Sequence, residues 1–127
     1  MRTILLALLI PLTLRAIAAE PCQQIHGRAH YYFADGQFRL WHIGTNHEFS
    51  LMYSESSDRP YPVDERILDM LRAGTKTPAD ISENDLFADF LVCPLEHYRK
   101  RAAQAAYVEK MNHPRMVHTP WVEPKHN

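Results

Sequence analysis

The sequence lacks every common catalytic signature. It has no GxSxG elbow, no HExxH zinc motif, no phosphate-binding loop and no CxxC pair. It also lacks internal repeats, and no apolar run after the first 19 residues approaches the length of about 20 that a membrane helix needs. We therefore predict neither a cofactor nor a membrane-spanning helix in the mature chain, and an enzyme is the less favoured reading.

The N-terminus has the three parts of a secretory signal peptide. Arg2 supplies the positive start, residues 4–14 are almost entirely apolar, and residues 16–19 are small or short apolar residues ending in Ala18 and Ala19. The apolar run is too short to span a bilayer, which takes about 20 residues. We predict a signal peptide over residues 1–19 and a periplasmic or secreted mature protein.

Basic residues are not in excess. The chain has 14 Lys and Arg against 15 Asp and Glu, and removal of Arg2 and Arg15 with the signal peptide leaves a net charge of about −3. A protein of this charge has no overall basic field of the kind that drives non-specific nucleic-acid binding. The composition thus leaves the partner unknown, with a glycan or another envelope component as a possibility.

Only two cysteines are present, Cys22 and Cys93, and both belong to the mature part. An even count in an exported protein predicts a disulfide. Closure of a loop of about 70 residues stabilises the fold by roughly 4 kcal/mol in the chain-entropy model.

The clearest local signal is Asp35-Gly36 between two β-type runs, which predicts a hairpin with a two-residue turn. In this register Phe33 lies opposite Phe38. One side of the hairpin is then expected to face the core, with the residues Ile25, Ala29, Tyr31, Phe33, Phe38 and Leu40.

The rest of the chain predicts three more strands and one helix. A third strand is expected over residues 47–53, a helix from Pro62 or Val63 to a cap at Gly74, and a buried strand over residues 86–93. Residues 103–110 are compatible with helix or strand, and the strand is favoured because a barrel needs it. Residues 111–127 are expected to form an extended or disordered tail.

This order of elements is that of an OB-like fold, a small five-stranded Greek-key barrel with one helix between strands 3 and 4. We therefore predict a mainly β (α+β) domain over residues 20–110. In such a barrel the first and fourth strands are antiparallel neighbours, so Cys22 and Cys93 fall at the same end.

Three stretches carry a resemblance: HGRAHYY with ADGQ, RLWHIGTNHEF, and DLFADFLVCP. They resemble a set of small exported bacterial proteins of unknown function. The resemblance covers most of the mature domain and implies a bacterial, exported origin. It implies no activity, ligand or catalytic residue.

The outward side of the predicted hairpin is polar and aromatic, and it is the favoured contact surface. Its residues are Arg28, His30, Tyr32, Arg39 and Trp41. Aromatic rings beside arginines suit stacking on a sugar or base, and OB-folds bind such polymers on this part of the barrel. The expected function is a non-catalytic binding or envelope-associated module.

Two alternatives remain open. Eight histidines invite a metal site, for which His42, His47 and Glu48 are the best-placed ligands if the turn between them is tight. A small hydrolase would use Arg39 and Asp89 among others.

Two further charged features adjoin these candidates. Asp89 interrupts the most apolar strand and is expected to pair with Arg28 or Arg39 or to point outward. Residues 96–101 form a basic-aromatic cluster in the loop that borders the binding face of an OB-like barrel.

Overall fold

The computed structural model describes residues 19–52, 61–120 and 125. Its elements are β1 (Gln23–Tyr32), β2 (Gln37–His42), β3 (Glu48–Leu51), α1 (Pro62–Arg72), a 3₁₀ helix (Pro78–Glu83), β4 (Asn84–Pro94) and β5 (Gln104–His118). The predicted signal peptide falls on residues 1–18, which lie outside this part, and on Ala19, so it stays a prediction. No helix in the described part is long and apolar enough to cross a membrane.

The five strands close into a barrel in the order β1-β2-β3-β5-β4. β1 pairs antiparallel with both β2 and β4, and β2 pairs antiparallel with β3. β5 completes the barrel, parallel to β3 and antiparallel to β4. With α1 between β3 and β4, this is the predicted OB-like Greek-key barrel, and the fold class is confirmed.

The interior of the barrel is filled by alternate residues of the strands. In β1, Ile25, Gly27 and Ala29 are buried, whereas the residues between them face outward. A Cβ atom on Gly27 would come within 2.8 Å of Leu40 Cδ1 and 2.9 Å of Phe90 Cδ2. Glycine at this position therefore lets two large core side chains pack directly on the backbone of β1.

The hairpin register differs from the prediction. Tyr31 lies opposite Phe38, so residues 33–36 form a four-residue loop instead of the two-residue turn. The backbone N–H of Phe33 donates to Ser82 Oγ at 2.8 Å, because the 3₁₀ helix supplies a partner that the hairpin does not. Phe33 is consequently 47% exposed, and its expected place in the core is wrong.

Helix α1 begins and ends as the sequence predicts. Pro62 occupies the first turn, where a missing N–H leaves no bond unmade. Ile67, Leu68 and Leu71 are buried in the same core as the strand residues. Gly74 follows the C-cap with φ +75°, a conformation that favours glycine.

Asp64 in the first turn of α1 is fully buried and joins the helix to the barrel. Its Oδ2 accepts the N–H of Met52 at 3.0 Å, and its Oδ1 accepts the N–H of Val108 at 2.7 Å. Burial raises the pKa of Asp64 to about 7, although both of these N–H groups favour the charged form. The carboxyl group thus connects α1 to the barrel, and its burial disfavours the ionised form.

The predicted disulfide between Cys22 and Cys93 is confirmed. Gln23 pairs with Val92 in the β1–β4 ladder, so the two cysteines occupy the next position across the same two strands. The bridge therefore ties the start of β1 to the end of β4.

The C-terminal part of the chain contains a longer strand than the sequence predicts. β5 continues beyond residue 110 to His118, so the expected tail boundary at residue 111 is wrong. The reason is that β4 is long, and its first residues, Asn84 to Phe87, pair with His118 to Arg115. The connection between α1 and β4 also contains the 3₁₀ helix, for which the sequence gives no prediction.

Candidate functional site

The outward side chains of the sheet form rows that run from strand to strand. One row crosses all five strands and consists of Glu48, Trp41, Arg28, Phe87 and Arg115. Arg28 Cζ lies 5.3 Å from the centroid of the Trp41 ring, and Arg115 Cζ lies 5.2 Å from that of Phe87. Guanidinium groups thus stack on aromatic rings along the outward surface of β2, β1, β4 and β5, which we call the outer face.

Arg28 and Trp41 fix each other at the centre of this row. Arg28 Nε lies 3.9 Å from Asp85 Oδ1 and, in the described part of the chain, has no hydrogen-bond partner. The guanidinium is therefore positioned by the indole ring and by the charge of Asp85. Trp41 donates its Nε1–H to the carbonyl oxygen of Thr45 at 2.7 Å, so the ring is restrained on a second side.

The other predicted contact residues lie in the neighbouring row. His30 pairs with Arg39 on β2, and its Nδ1 lies 2.7 Å from Asp85 Oδ1 on β4. Tyr32 packs edge-on against His30 with ring centroids 4.4 Å apart, and Arg39 donates to Gln37 Oε1 at 3.2 Å. All five residues of the predicted surface therefore share the outer face, and these three are engaged by neighbours on it.

Asp89 lies outward between two histidines. Its Oδ1 is 3.0 Å from His26 Nδ1, and its Oδ2 is 3.2 Å from His113 Nδ1. These two hydrogen bonds, that of His26 first, lower the pKa of Asp89 from its ordinary 3.8. His113 reaches this position at a bulge in β5, with φ +54°. The outward orientation agrees with the prediction, whereas the pairing with Arg28 or Arg39 is wrong because β1 and β5 supply histidines.

Trp41 also lines a shallow cleft at the edge of the outer face. The cleft has a volume of about 320 Å³ and lies between the β2–β3 turn and the loop that leads into β5. Its lining residues are Trp41, Thr45, Asn46, Glu48, Arg101, Ala102 and Ala103. One aromatic ring, one amide, one carboxylate and one guanidinium are thus gathered in what we call the Trp41 cleft.

Arg101 enters this cleft with an unusual backbone conformation. Its φ is +68°, a left-handed value that costs a residue other than glycine roughly 1–3 kcal/mol. Conformations of this kind persist where the surrounding structure imposes them, and they cluster at functional sites. The basic-aromatic cluster predicted at residues 96–101 therefore contributes a charged side chain to the cleft.

The loop that carries Arg101 is anchored by Glu20. Its carboxylate accepts the N–H of Tyr98 at 2.7 Å and the side-chain amide of Gln104 at 3.2 Å. The N–H of Tyr98 is the main reason that the pKa of Glu20 is lowered, with Gln104 next. Gln104 also donates to the carbonyl oxygen of Glu96 at 2.8 Å, so both ends of the loop are tied together.

The three residues of the metal hypothesis do not converge on one point. His42 donates its backbone N–H to the carbonyl oxygen of His47 at 3.0 Å, so the turn is tight. The ring of His47, however, has Nε2 2.8 Å from Gln104 Oε1. Glu48 belongs to the outward row beside Trp41, and the pleat of the strand turns its neighbour His47 to the opposite side.

In the described part of the chain, one group of three potential ligand residues has its ligand atoms within 4.8 Å of one another. It consists of Cys22, Cys93 and Glu109. Both sulfur atoms are joined in the disulfide, so they offer no thiolate to an ion. This geometry gives the metal alternative no support.

Phe87, Arg115 and Asn46 do not follow from the sequence as residues of the outer face or the cleft. Phe87 sits in an almost continuous apolar run that predicts a buried strand, and Arg115 falls in the segment expected to be a tail. Asn46 lies in the β2–β3 turn, where no periodic pattern exists, whereas Arg101 belongs to the predicted basic-aromatic cluster. In β4 burial alternates, with Leu86 buried and Phe87 half-buried. Period-two alternation along the strand is therefore the one sequence signal that places Phe87 on the outer face.

Comparison of the chain with models of protein families, with curated proteins and with solved structures finds no match. The fold and the site define the class as a small OB-like barrel with an aromatic cleft on its surface. What this cleft does must therefore be argued from its own residues, and the resemblance to exported bacterial proteins stays a prediction.

Proposed function

We propose that this chain is an exported, non-catalytic module of the bacterial envelope that binds a glycan in the Trp41 cleft. The observation that carries the proposal is the composition of the cleft, in which an indole ring lies beside Asn46, Glu48 and Arg101. The Trp41 cleft lies at the edge of the polar-aromatic surface that the sequence predicts, and Trp41 belongs to both.

The chemistry of the cleft matches that of a sugar. A pyranose ring has an apolar C–H face, which packs on an aromatic ring, and a rim of hydroxyl groups. Amide, carboxylate and guanidinium groups together donate and accept the hydrogen bonds of such hydroxyls. OB-like barrels commonly use this part of the fold to bind oligosaccharides or oligonucleotides.

Between these two polymers, the charges favour the glycan. Single-stranded nucleic acid needs a positively charged groove that follows its backbone. Here Glu48 lies directly opposite Trp41 in the β2–β3 ladder and lines the cleft together with Arg101. A carboxylate at this place repels phosphates but accepts hydrogen bonds from hydroxyl groups, and the mature chain carries no excess of basic residues.

Export is supported by two independent features of the chain. The first residues have the composition of a signal peptide, with small residues before Glu20. Cys22 and Cys93 form a disulfide, a bond that persists in oxidising compartments and is rare in the cytosol.

The hydrolase alternative gains nothing from the geometry. Arg39 lies on β2, where its guanidinium donates to Gln37. Asp89 lies on β4, a non-adjacent strand, between His26 and His113. The two proposed catalytic groups thus have separate partners on different strands.

The proposal is tested by titrating the oxidised protein against an array of envelope oligosaccharides, peptidoglycan fragments included. Arg101→Gly is the key variant, because it removes the guanidinium and places a glycine where φ is +68°. We expect this variant to bind glycan about tenfold more weakly, because it loses hydrogen bonds worth about 1.4 kcal/mol. Its unfolding temperature should not fall.

Arg99→Ala is the matched control, since Arg99 is an exposed arginine that does not line the cleft. It should bind like the wild type. Equal losses in the two arginine variants, or no glycan retained by the wild type, would contradict the proposal. Tighter binding of an oligodeoxynucleotide than of any glycan would contradict the glycan proposal and identify a nucleic acid as the ligand.

A further inference from the structure

A second cavity lies where the β1–β2 loop, the end of α1 and the 3₁₀ helix meet. Its volume is about 360 Å³, within the range of roughly 300–1,000 Å³ that is usual for small-molecule sites. None of its lining residues belongs to the Trp41 cleft. We call it the Phe33 cavity.

The backbone beneath its apolar wall is held by hydrogen bonds. Phe33 lines the cavity with Tyr31, Pro78 and Ile81, and almost half of its surface is exposed. The N–H of Phe33 donates to Ser82 Oγ at 2.8 Å, and the Ser82 hydroxyl donates to the carbonyl oxygen of Tyr31 at 3.0 Å. The backbone that carries this exposed aromatic ring is thus held in place before any ligand binds, which lowers the entropy lost on binding.

The rim of the cavity is basic. Arg72 and Lys76 line it, and among the described residues no aspartate or glutamate does. Arg72 Nη1 lies 3.9 Å from Asp69 Oδ1, but both side chains are more than half exposed. This ion pair is therefore weak, and a ligand carboxylate can take the place of Asp69. The nearby carboxylate of Asp80 is occupied by the backbone N–H groups of Lys76 and Thr77.

We propose that the Phe33 cavity binds a small organic carboxylate with one aromatic ring. The ring lies against Phe33 and Tyr31, and the carboxylate lies between Arg72 and Lys76. Apolar lining with a few fixed polar groups is the usual composition of a small-molecule site. The site is independent of the Trp41 cleft, so either proposal can fail without the other.

The test uses 4-phenylbutyrate and its uncharged analogue 4-phenylbutanol as probes of the oxidised protein, followed by ¹H–¹⁵N spectra. We expect 4-phenylbutyrate to shift the amide signals of Phe33 and of residues 75–77 to saturation. The alcohol should bind about tenfold more weakly, because it lacks the charge that the basic rim recognises.

Two variants locate the site. Phe33→Ala and Lys76→Ala, both at exposed positions, should each weaken 4-phenylbutyrate binding about tenfold, whereas Lys100→Ala, an exposed lysine outside the cavity, should not. Saturating shifts elsewhere in the protein, the absence of saturable shifts, or equal affinity for acid and alcohol would overturn the proposal. Unchanged spectra of the variants away from the cavity show that they are folded.

Discussion

Two aspartates illustrate how differently the outer face and the helix side of the barrel use charge. Asp89 lies on the outer face, and its hydrogen bonds from His26 and His113 lower its pKa. Asp64 is buried between α1 and the strands, and burial raises its pKa to about 7. The same side chain is thus stabilised in its charged form at one place and in its neutral form at the other.

The difference separates the residues that hold the fold from those that are available to a ligand. Asp64 is fully buried and accepts two backbone N–H groups, so its loss leaves these donors without their acceptor. The pairs of the outer face are partly solvated, and water replaces their partners when they are lost. Side chains of the outer face can therefore exchange partners without unfolding the barrel.

The largest effect is expected from removal of the disulfide. Cys22→Ser with Cys93→Ser frees the start of β1 from the end of β4, and the chain-entropy model gives a loss of about 4 kcal/mol in the free energy of unfolding. Urea denaturation of the oxidised, reduced and double-variant proteins measures it. Equal stability of all three would show that the bridge does not support the barrel.

A smaller effect should separate the two aspartates themselves. Asp64→Ala leaves the N–H groups of Met52 and Val108 without acceptors and should cost roughly 2–4 kcal/mol. Asp89→Ala should leave the unfolding midpoint nearly unchanged, because its partners are exposed. Chemical denaturation of both variants at pH 5 provides the comparison, and similar losses would remove the distinction between the two regions.

The last difference between the two aspartates is in pH dependence. Between pH 4 and 7 the unfolded chain releases the proton of Asp64 that the folded chain keeps, so Asp64 lowers stability as pH rises, by at most about 1.4 kcal/mol per pH unit. Asp89 acts in the opposite sense, and its contribution is lost as pH falls below its ordinary 3.8.

Unfolding free energies of Asp64→Asn and Asp89→Asn from pH 3 to 8 test these signs. The difference between the unfolding free energies of wild type and variant isolates the contribution of each carboxyl group. The Asp64 difference should change between pH 4 and 7, and the contribution of Asp89 should be lost as the pH falls below 4. A change in the same window for both would mean that the two carboxyl groups share one kind of environment.

The fold was predictable because its signals are local. Alternating apolar residues, the Asp35-Gly36 turn and the position of Pro62 and Gly74 define the elements, and the OB-like order then places Cys22 beside Cys93. The register of the hairpin was not predictable, since it depends on Ser82, a residue about 50 positions away that bonds to Phe33. The length of β5 likewise depends on the length of β4.

The candidate site was predictable only in its regular part. The outward positions of Arg28 and Trp41 follow from strand alternation. Asn46 and Arg101 come from a turn and a loop, and Arg101 reaches the cleft through a left-handed conformation that residue type does not indicate. His113, one of the two histidine partners of Asp89, does not follow from the sequence because the bulge that positions it lies in a segment expected to be a tail.

The measurement that tests the central claim most directly is the indole N–H signal of Trp41 during titration with an envelope oligosaccharide. Trp121→Phe removes the other tryptophan, so the signal is unambiguous. We predict that the glycan shifts this signal to saturation and that 4-phenylbutyrate leaves it unchanged. A glycan that binds without shifting the Trp41 signal, or the absence of any glycan that binds, would contradict the assignment of the cleft.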